Sequence, residues 1–289
     1  MLIGLHIHPG DAAAMRRQQL AVEALLRLGG VDALNLQFLT EPHVTLPGIE
    51  TMPALAQDSN AVAGPGQRRK PLTREIFDVL ARVAAARGHQ YVGYINSDIL
   101  VLPAALDAIA RQARQTYAIS RHDVDHWNGD PRGETLLTSG IDMFAFSVPW
   151  WQRHRHRFRP YIVGDACWDN VYTAVMMCHS NGIILNRERL ILHERHAVSW
   201  NDGTPSARYN GFLAALDARY FALWCEYWDR LEKGRARGAS AGEETTLRAD
   251  VFEWRPSATE AFKQSVRAVR ARLHFRRLRA AGGVPPGTR

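Results

Sequence analysis

The run Tyr91-Val92-Gly93-Tyr94-Ile95 constrains the chain more than any other segment, because it is apolar without alternation and breaks at once into Asn96-Ser97-Asp98. A strand with water on one face alternates in polarity, so a continuous run reads as a parallel strand covered on both faces. Strands of that kind belong to α/β sheets, whose ligands lie beyond the strands' carboxyl ends. The polar triplet falls on that side. Asp98 there can hold a divalent cation, Mn²⁺ or Mg²⁺, able to neutralise a diphosphate leaving group. Asn96 or Asp98 can equally cap the turn before the next helix.

Other segments repeat the alternation of strand and helix. Leu2 to His8 is an apolar run ended by Pro9-Gly10; Asp11 then caps a helix with Leu20, Ala24, Leu25 and Leu28 on one face, stopped by Gly29-Gly30. Ala33 to Leu39 reads as a second strand, and Pro42 to Pro71, which has no period, as loops. Helical spacing returns at Ile76, Leu80 and Val83 up to Gly88, and Pro103 suits the first turn of another helix. The second half is less regular. It offers a strand near Met143 to Val148, a basic loop, a helix from about Trp168, strands near Ile183 and Leu190, and an aromatic helix around Tyr220 to Trp228. The expected division is a main domain over 1–232, a flexible linker over 233–245 rich in Gly, Ala, Ser and Arg, and a basic amphipathic tail over 246–289.

Charge narrows the partners. The chain has 36 Lys+Arg against 29 Asp+Glu, but eight of the basic residues and no acid follow Glu260, leaving 28 against 29 elsewhere. A body so nearly neutral argues against nucleic acid as partner. Within the tail, Phe262, Val266, Val269 and Leu273 recur at i, i+4, i+7 and i+11. That helix is expected to pack back on the domain, with peripheral contact to an anionic membrane surface as the other reading. Cys167, Cys178 and Cys225 form neither a disulfide framework nor a thiolate zinc motif, which suits a reducing compartment. The opening residues lack a basic leader and no apolar run approaches the ~20 residues of a membrane span, so a cytoplasmic location is expected.

Three further clusters bear chemistry. In Gly164-Asp165-Ala166-Cys167-Trp168-Asp169-Asn170, Asp169 falls in the first turn of a helix, where amide dipoles favour a carboxylate as a cap. Beside an aromatic that gives a sugar ring a platform, the same carboxylate can take a proton from an attacking hydroxyl. In Leu192-His193-Glu194-Arg195-His196 the spacing is not H-E-x-x-H. An extended segment turns the two rings opposite ways, leaving His193 the better ligand. His6-Ile7-His8 places two rings on one face of the first strand, as in metal-dependent hydrolases of the amidohydrolase type, although the only lysines are Lys70, Lys233 and Lys263. Arg153, Arg155, Arg157 and Arg159 make a one-sided stripe for a phosphate or acidic acceptor if extended, and a solvated loop otherwise.

Taken in order, these segments resemble glycosyltransferase-like proteins of the GT-A type. The resemblance covers about residues 1 to 200. Arg17 to Glu23 is similar to the family's first helix, Lys70-Pro71-Leu72 to Ile76-Phe77 to its pre-triplet helix, and Tyr94 to Ile99 to its acidic triplet. Gly140 to Phe146 resembles a G-x-D-x-F-x-F strand, Val163-Gly164 to Trp168-Asp169-Asn170 a G-x-x-x-W-D-N segment, and His193 to His196 an H-x-x-H. Two positions depart from the pattern: Asn96 replaces the first aspartate of D-x-D, and Asp165 stands where an arginine is expected.

The resemblance implies a Rossmann-like, mixed but mainly parallel sheet flanked by helices, with a helical C-terminal extension. It implies transfer of a sugar from a nucleotide-sugar donor to a glycan or lipid-linked acceptor. Asn96 and Asp98 would bind the nucleotide, Asp98 and His193 the cation, and Asp142, Trp168 and Asn170 the sugars. Asp169 would be the base, giving inversion, and Lys70 or Arg69 would add a phosphate contact or form a solvated loop. A catalytically silent domain that only binds a nucleotide or glycan is the alternative of a different class.

Overall fold

The computed structural model describes residues 1–66, 68–127, 136–196 and 203–253, together with Thr259, Phe262, Val266, Val269 and Leu273. In chain order the elements are β1 (Leu2–Leu5), α1 (Ala12–Leu26), β2 (Asp32–Phe38), β3 (Glu50–Leu55), α2 (Ser59–Ala63), α3 (Thr73–Ala86), β4 (Tyr91–Ile95), β5 (Ile99–Val101), α4 (Pro103–Gln112), β6 (Thr116–Val124) and β7 (Leu136–Ser147). They continue with α5 (Val148–His154), α6 (Trp168–Cys178), β8 (Ile183–Leu185), β9 (Ile191–Glu194), α7 (Pro205–Leu216), α8 (Ala218–Ala236) and α9 (Ala241–Phe252). The chain divides into two compact units. One comprises residues 1–56, 75–156 and 180–198, the other 57–74, 157–179 and 199–289.

The first unit is a mixed α/β layer structure. Its strands run in the order β3-β2-β1-β4-β7-β6-β9-β5, with β8 on β6. β1 is parallel to β2 and β4, β2 to β3, and β6 to β8 and β9, whereas β7 is antiparallel to β4 and β6, and β5 to β9. The sheet is therefore mixed, with most pairings parallel, and β4 sits between a parallel and an antiparallel neighbour. Phe77 on α3 packs its ring 5.1–6.1 Å from those of Tyr94, Phe144, Phe146 and Trp151, which binds helix to sheet through aromatic area. Gly4 permits the close approach of α3, since a Cβ there would lie 2.3 Å from a methyl of Leu80.

Several elements depart from the expectations. Pro42 to Pro71 is not all loop: β3 and α2 lie within it. As an edge strand β3 tolerates Pro53, which hid it from a search for apolar alternation. The α1 cap forms as expected, with Asp11 accepting from Ala14 N at 2.8 Å, but the buried face is Gln18, Ala21, Val22 and Leu25. The arginine-rich stretch after Arg153 is not extended. His154 ends α5 stacked on Trp150, and Arg155 pairs with Asp78 at 3.1 Å, so no one-sided stripe exists.

In the second unit α6 packs on α8 and α9, and α2 on α7. The expected linker over 233–245 is instead the end of α8, a short turn and the start of α9. Ser240 and Glu243 close a reciprocal capping box, and Arg235 pairs with Glu244 at 2.9 Å across the turn. The tail boundary at 246 falls inside α9. Phe262, Val266, Val269 and Leu273 are helical as expected, but Phe262, Val269 and Leu273 are exposed rather than packed back. The arginines from Arg267 onward lie outside the described residues. No helix among those described is long and apolar enough to cross a membrane.

Candidate functional site

β4 delivers the chain to the triplet at its carboxyl end. The Asn96 amide donates to Asp142 O at 3.2 Å and Ile99 N closes back on Asn96 O at 3.2 Å, so Asp98 sits in a fixed turn between β4 and β5. Strand register does the rest. Ile99 is opposite His193 across the antiparallel β5–β9 pair, and Asp123 is opposite His193 across the parallel β6–β9 pair. His193 is thereby bracketed by Asp98's neighbour on one side and Asp123 on the other.

The side chains converge. His193 Nε2 lies 3.7 Å from Asp98 Oδ2, His196 Nε2 lies 3.2 Å from the same oxygen, and the two Nε2 atoms are 3.1 Å apart. One ligand atom from each of Asp98, His193 and His196 lies within 4.8 Å of the others, the one such cluster among the described residues. The expectation that only one of the two histidines enters the site is thus corrected. β9 stops at Glu194, so the strand alternation that would turn the rings apart does not reach His196.

Asp123 determines how His193 presents itself. Its Oδ1 lies 3.0 Å from His193 Nδ1, and because an ionised carboxylate only accepts, Nδ1 carries the proton. In the neutral ring Nε2 is then a lone-pair donor facing Asp98 and His196, the carboxylate–histidine arrangement typical of metal ligands. Burial opposes protonation of His193, but Asp123 and Asp98 outweigh it and lift its pKa to about 9. Burial likewise opposes ionisation of Asp98, and His193 and His196 overcome it, holding the carboxyl well below the usual range.

A chain of polar contacts backs this cluster. Arg121 reaches Asp123 at 3.0 Å and Asp142 at 3.1 Å, and Asp142 accepts a short hydrogen bond from Asn96 Nδ2. Burial raises the Asp142 pKa against the pull of Arg121. Asn96 is therefore tied to Asp142 and lies outside the Asp98–histidine cluster. Its Oδ1 is buried with no hydrogen-bond partner among the described residues. Gln18 holds the neighbouring loops: its Oε1 accepts from His8 N at 3.0 Å and from Ser97 Oγ at 2.7 Å, while Nε2 donates to His8 O at 2.9 Å. Sequence reasoning missed Asp123, Arg121 and Gln18, and set His196 aside in favour of His193. Of the three missed, only Gln18 left a signal, a polar residue in register with the buried Ala21, Val22 and Leu25.

The histidine pair near the start does not form a metal pair. β1 ends at Leu5, His6 gives its Nδ1 to Leu36 O at 2.8 Å beside the Phe38 ring, and His8 Nδ1 lies 3.2 Å from Pro9 O. Among the described residues neither belongs to a cluster of metal-ligating side chains, in contrast to His193 and His196.

The remaining sequence-derived residues belong to the second unit. Gly164 at φ 75° and Cys167 at φ 75° frame a left-handed turn that launches α6, with Asp169 in its first turn. Such a conformation is costly for a residue with a side chain, and Cys167 holds it where the helix N-terminus must be aimed. Asp169 and Asn170 are partly exposed and 3.4 Å apart. Trp168 is buried, edge-on to Tyr172, and so is a core residue rather than an open platform. Lys70 pairs with the buried Asp165 at 2.9 Å and Arg69 with Asp58 at 2.7 Å, so neither is a freely solvated cation. Lys70 thus compensates the charge of the buried Asp165.

The sequence matches no family model and no curated protein. Among solved structures it is similar to residues 1–349 of TarS from S. aureus in complex with UDP-GlcNAc, at 9% identity over 86% of this chain and 78% of that one, TM-score 0.48. The same S. aureus protein in complex with UDP aligns at 10% identity over 87% and 80%, TM-score 0.44. A glycosyltransferase involved in glycosylation of the major capsid of PBCV-1 aligns at 11% identity over 73% and 96%, TM-score 0.36.

Proposed function

We propose that the protein is a metal-dependent glycosyltransferase that uses a nucleotide-sugar donor. The observation that carries this reading is the convergence of Asp98, His193 and His196 at the carboxyl end of β4, with Asp123 orienting His193 from behind. Two imidazoles and one carboxylate suit Mn²⁺ better than the oxygen-seeking Mg²⁺. A cation held there supplies positive charge for a diphosphate leaving group.

The chain's own residues then have separate tasks. Asp98, His193 and His196 bind the cation, Gln18 fixes the loops after β1 and β4 against which a nucleotide lies, and Arg121 with Asn96 fixes Asp142 toward the sugar. Asp169 takes the proton of the acceptor hydroxyl, which entails inversion at the anomeric carbon, and Asn170 hydrogen-bonds a sugar hydroxyl. The acceptor is a glycan or a lipid-linked saccharide.

The experiment is a thermal-shift screen of UDP-, GDP-, TDP- and CMP-sugars with and without Mn²⁺, followed by an assay for released nucleoside phosphate. A donor present at 100 times its dissociation constant stabilises the fold by about 2.7 kcal/mol. No shift with any donor in the presence of Mn²⁺ overturns the reading. The tie between Asn96 and Asp142 favours a second reading, a binding domain without turnover. Stabilisation without nucleotide release under any acceptor mixture selects it.

A further inference from the structure

We propose that the helical face bearing Phe262, Val266, Val269 and Leu273 docks on an anionic lipid bilayer. Phe262, Val269 and Leu273 are 69%, 53% and 50% exposed, and each is in helical conformation. Only two other large apolar side chains among the described residues are exposed, Leu26 and Leu39, and they are isolated. The exposed apolar side chains are thus concentrated at i, i+7 and i+11, the spacing of one face of a helix, with the half-buried Val266 between them. Large apolar side chains exposed at such a spacing mark an interaction site.

Charge identifies the occupant. From Ala261 onward the sequence has eight basic residues and no acid, while the rest of the chain is almost balanced. A protein partner would have to present an apolar groove and a uniformly acidic rim together, since potentials across an interface are complementary. Nucleic acid would satisfy the arginines but leave the apolar face in water. The boundary of an anionic bilayer satisfies both at once, taking the apolar side chains among its acyl chains and the cations among its phosphates.

The test uses the full chain and vesicles of equal parts phosphatidylglycerol and phosphatidylcholine, compared with phosphatidylcholine alone, by sedimentation in low salt. Pelleting with the anionic vesicles only is expected. The double variant Phe262→Ser with Leu273→Ser should lose it with an unchanged melting temperature, and Phe262→Leu should keep it. Removing one basic residue, as in Arg270→Gln, should weaken binding about fivefold. Absence of pelleting at low salt, equal pelleting on neutral vesicles, or undiminished binding by the double variant overturns the proposal. The last outcome would mean that the arginines adsorb to any polyanion, duplex DNA included.

Discussion

The Nδ1 atom of His193 lies 3.0 Å from Oδ1 of Asp123, and that contact turns a buried histidine into an oriented ligand. Asp123→Asn keeps the shape but removes the charge, and its amide can offer Nδ1 a donor as readily as an acceptor, so the tautomer of His193 is no longer fixed. The substitution should weaken Mn²⁺ binding about 10–100-fold by calorimetry while Asp98 and both imidazoles remain. The pKa of His193, followed by NMR, should fall in the same variant, since Asp123 is one of the two carboxylates that raise it.

His193 also makes stability depend on pH. Its ring is raised from 6.5 to about 9 in the fold, so the metal-free protein gains stability from the protonated ring that is fully present below pH 6.5. This contribution is lost as pH rises through about 9. Subtracting the melting curve of His193→Gln from that of the wild type, measured with chelator, should leave a difference that shrinks across this window. Mn²⁺ requires the neutral ring, so its stabilising effect should grow over the same window.

Asn96 is suited to its place because it donates to Asp142. Asn96→Asp, which turns the triplet into D-x-D, would set two carboxylates in contact inside a buried network that already raises the Asp142 pKa. The variant should be destabilised by about 1–3 kcal/mol at neutral pH and recover on mild acidification, as read from denaturant midpoints. Stability equal to wild type at pH 7 would show that the Asn96 hydrogen bond is dispensable.

Asp169→Asn preserves the shape of the α6 first turn but removes a proton acceptor. Donor binding should survive and transfer should fall by about 10²–10⁴-fold, measured as kcat at saturating donor. A variant that transfers at the wild-type rate would leave Asp169 only a helix-terminal charge.

Ser240→Ala removes one half of the capping box at the start of α9. A loss of about 1 kcal/mol in global stability is expected. Were residues 233–245 a flexible connection, the substitution would leave the melting temperature unchanged.

Apolar runs and caps made much of the first unit legible. The uniform apolarity of Tyr91–Ile95 announced β4, and Asp11 announced α1. β5 escaped notice because three residues leave no period, and β3 because an edge strand accepts proline and partial exposure. Asp98 and His193 were legible as residues that follow or end apolar strands. Asp123 and Arg121 were not, since their meaning comes from the register of β6 against β7 and β9, a relation between segments some 70 residues apart in sequence. His196 was misjudged because alternation was extended past the point where pairing stops.

The strand order also sets when, during synthesis, this site can exist. Among the described residues β5 pairs only with β9, so Asp98, which immediately precedes β5, depends on a strand that begins at Ile191. A nascent chain can pair β1, β2, β3 and β4 while the last ligand-bearing segment is still in the ribosome, but Asp98 has no histidine to meet until residue 196 has emerged. Contacts of such long sequence separation form late. Cation binding would thus report completed assembly of the sheet, and a chain stalled before Ile191 would have the triplet but no centre.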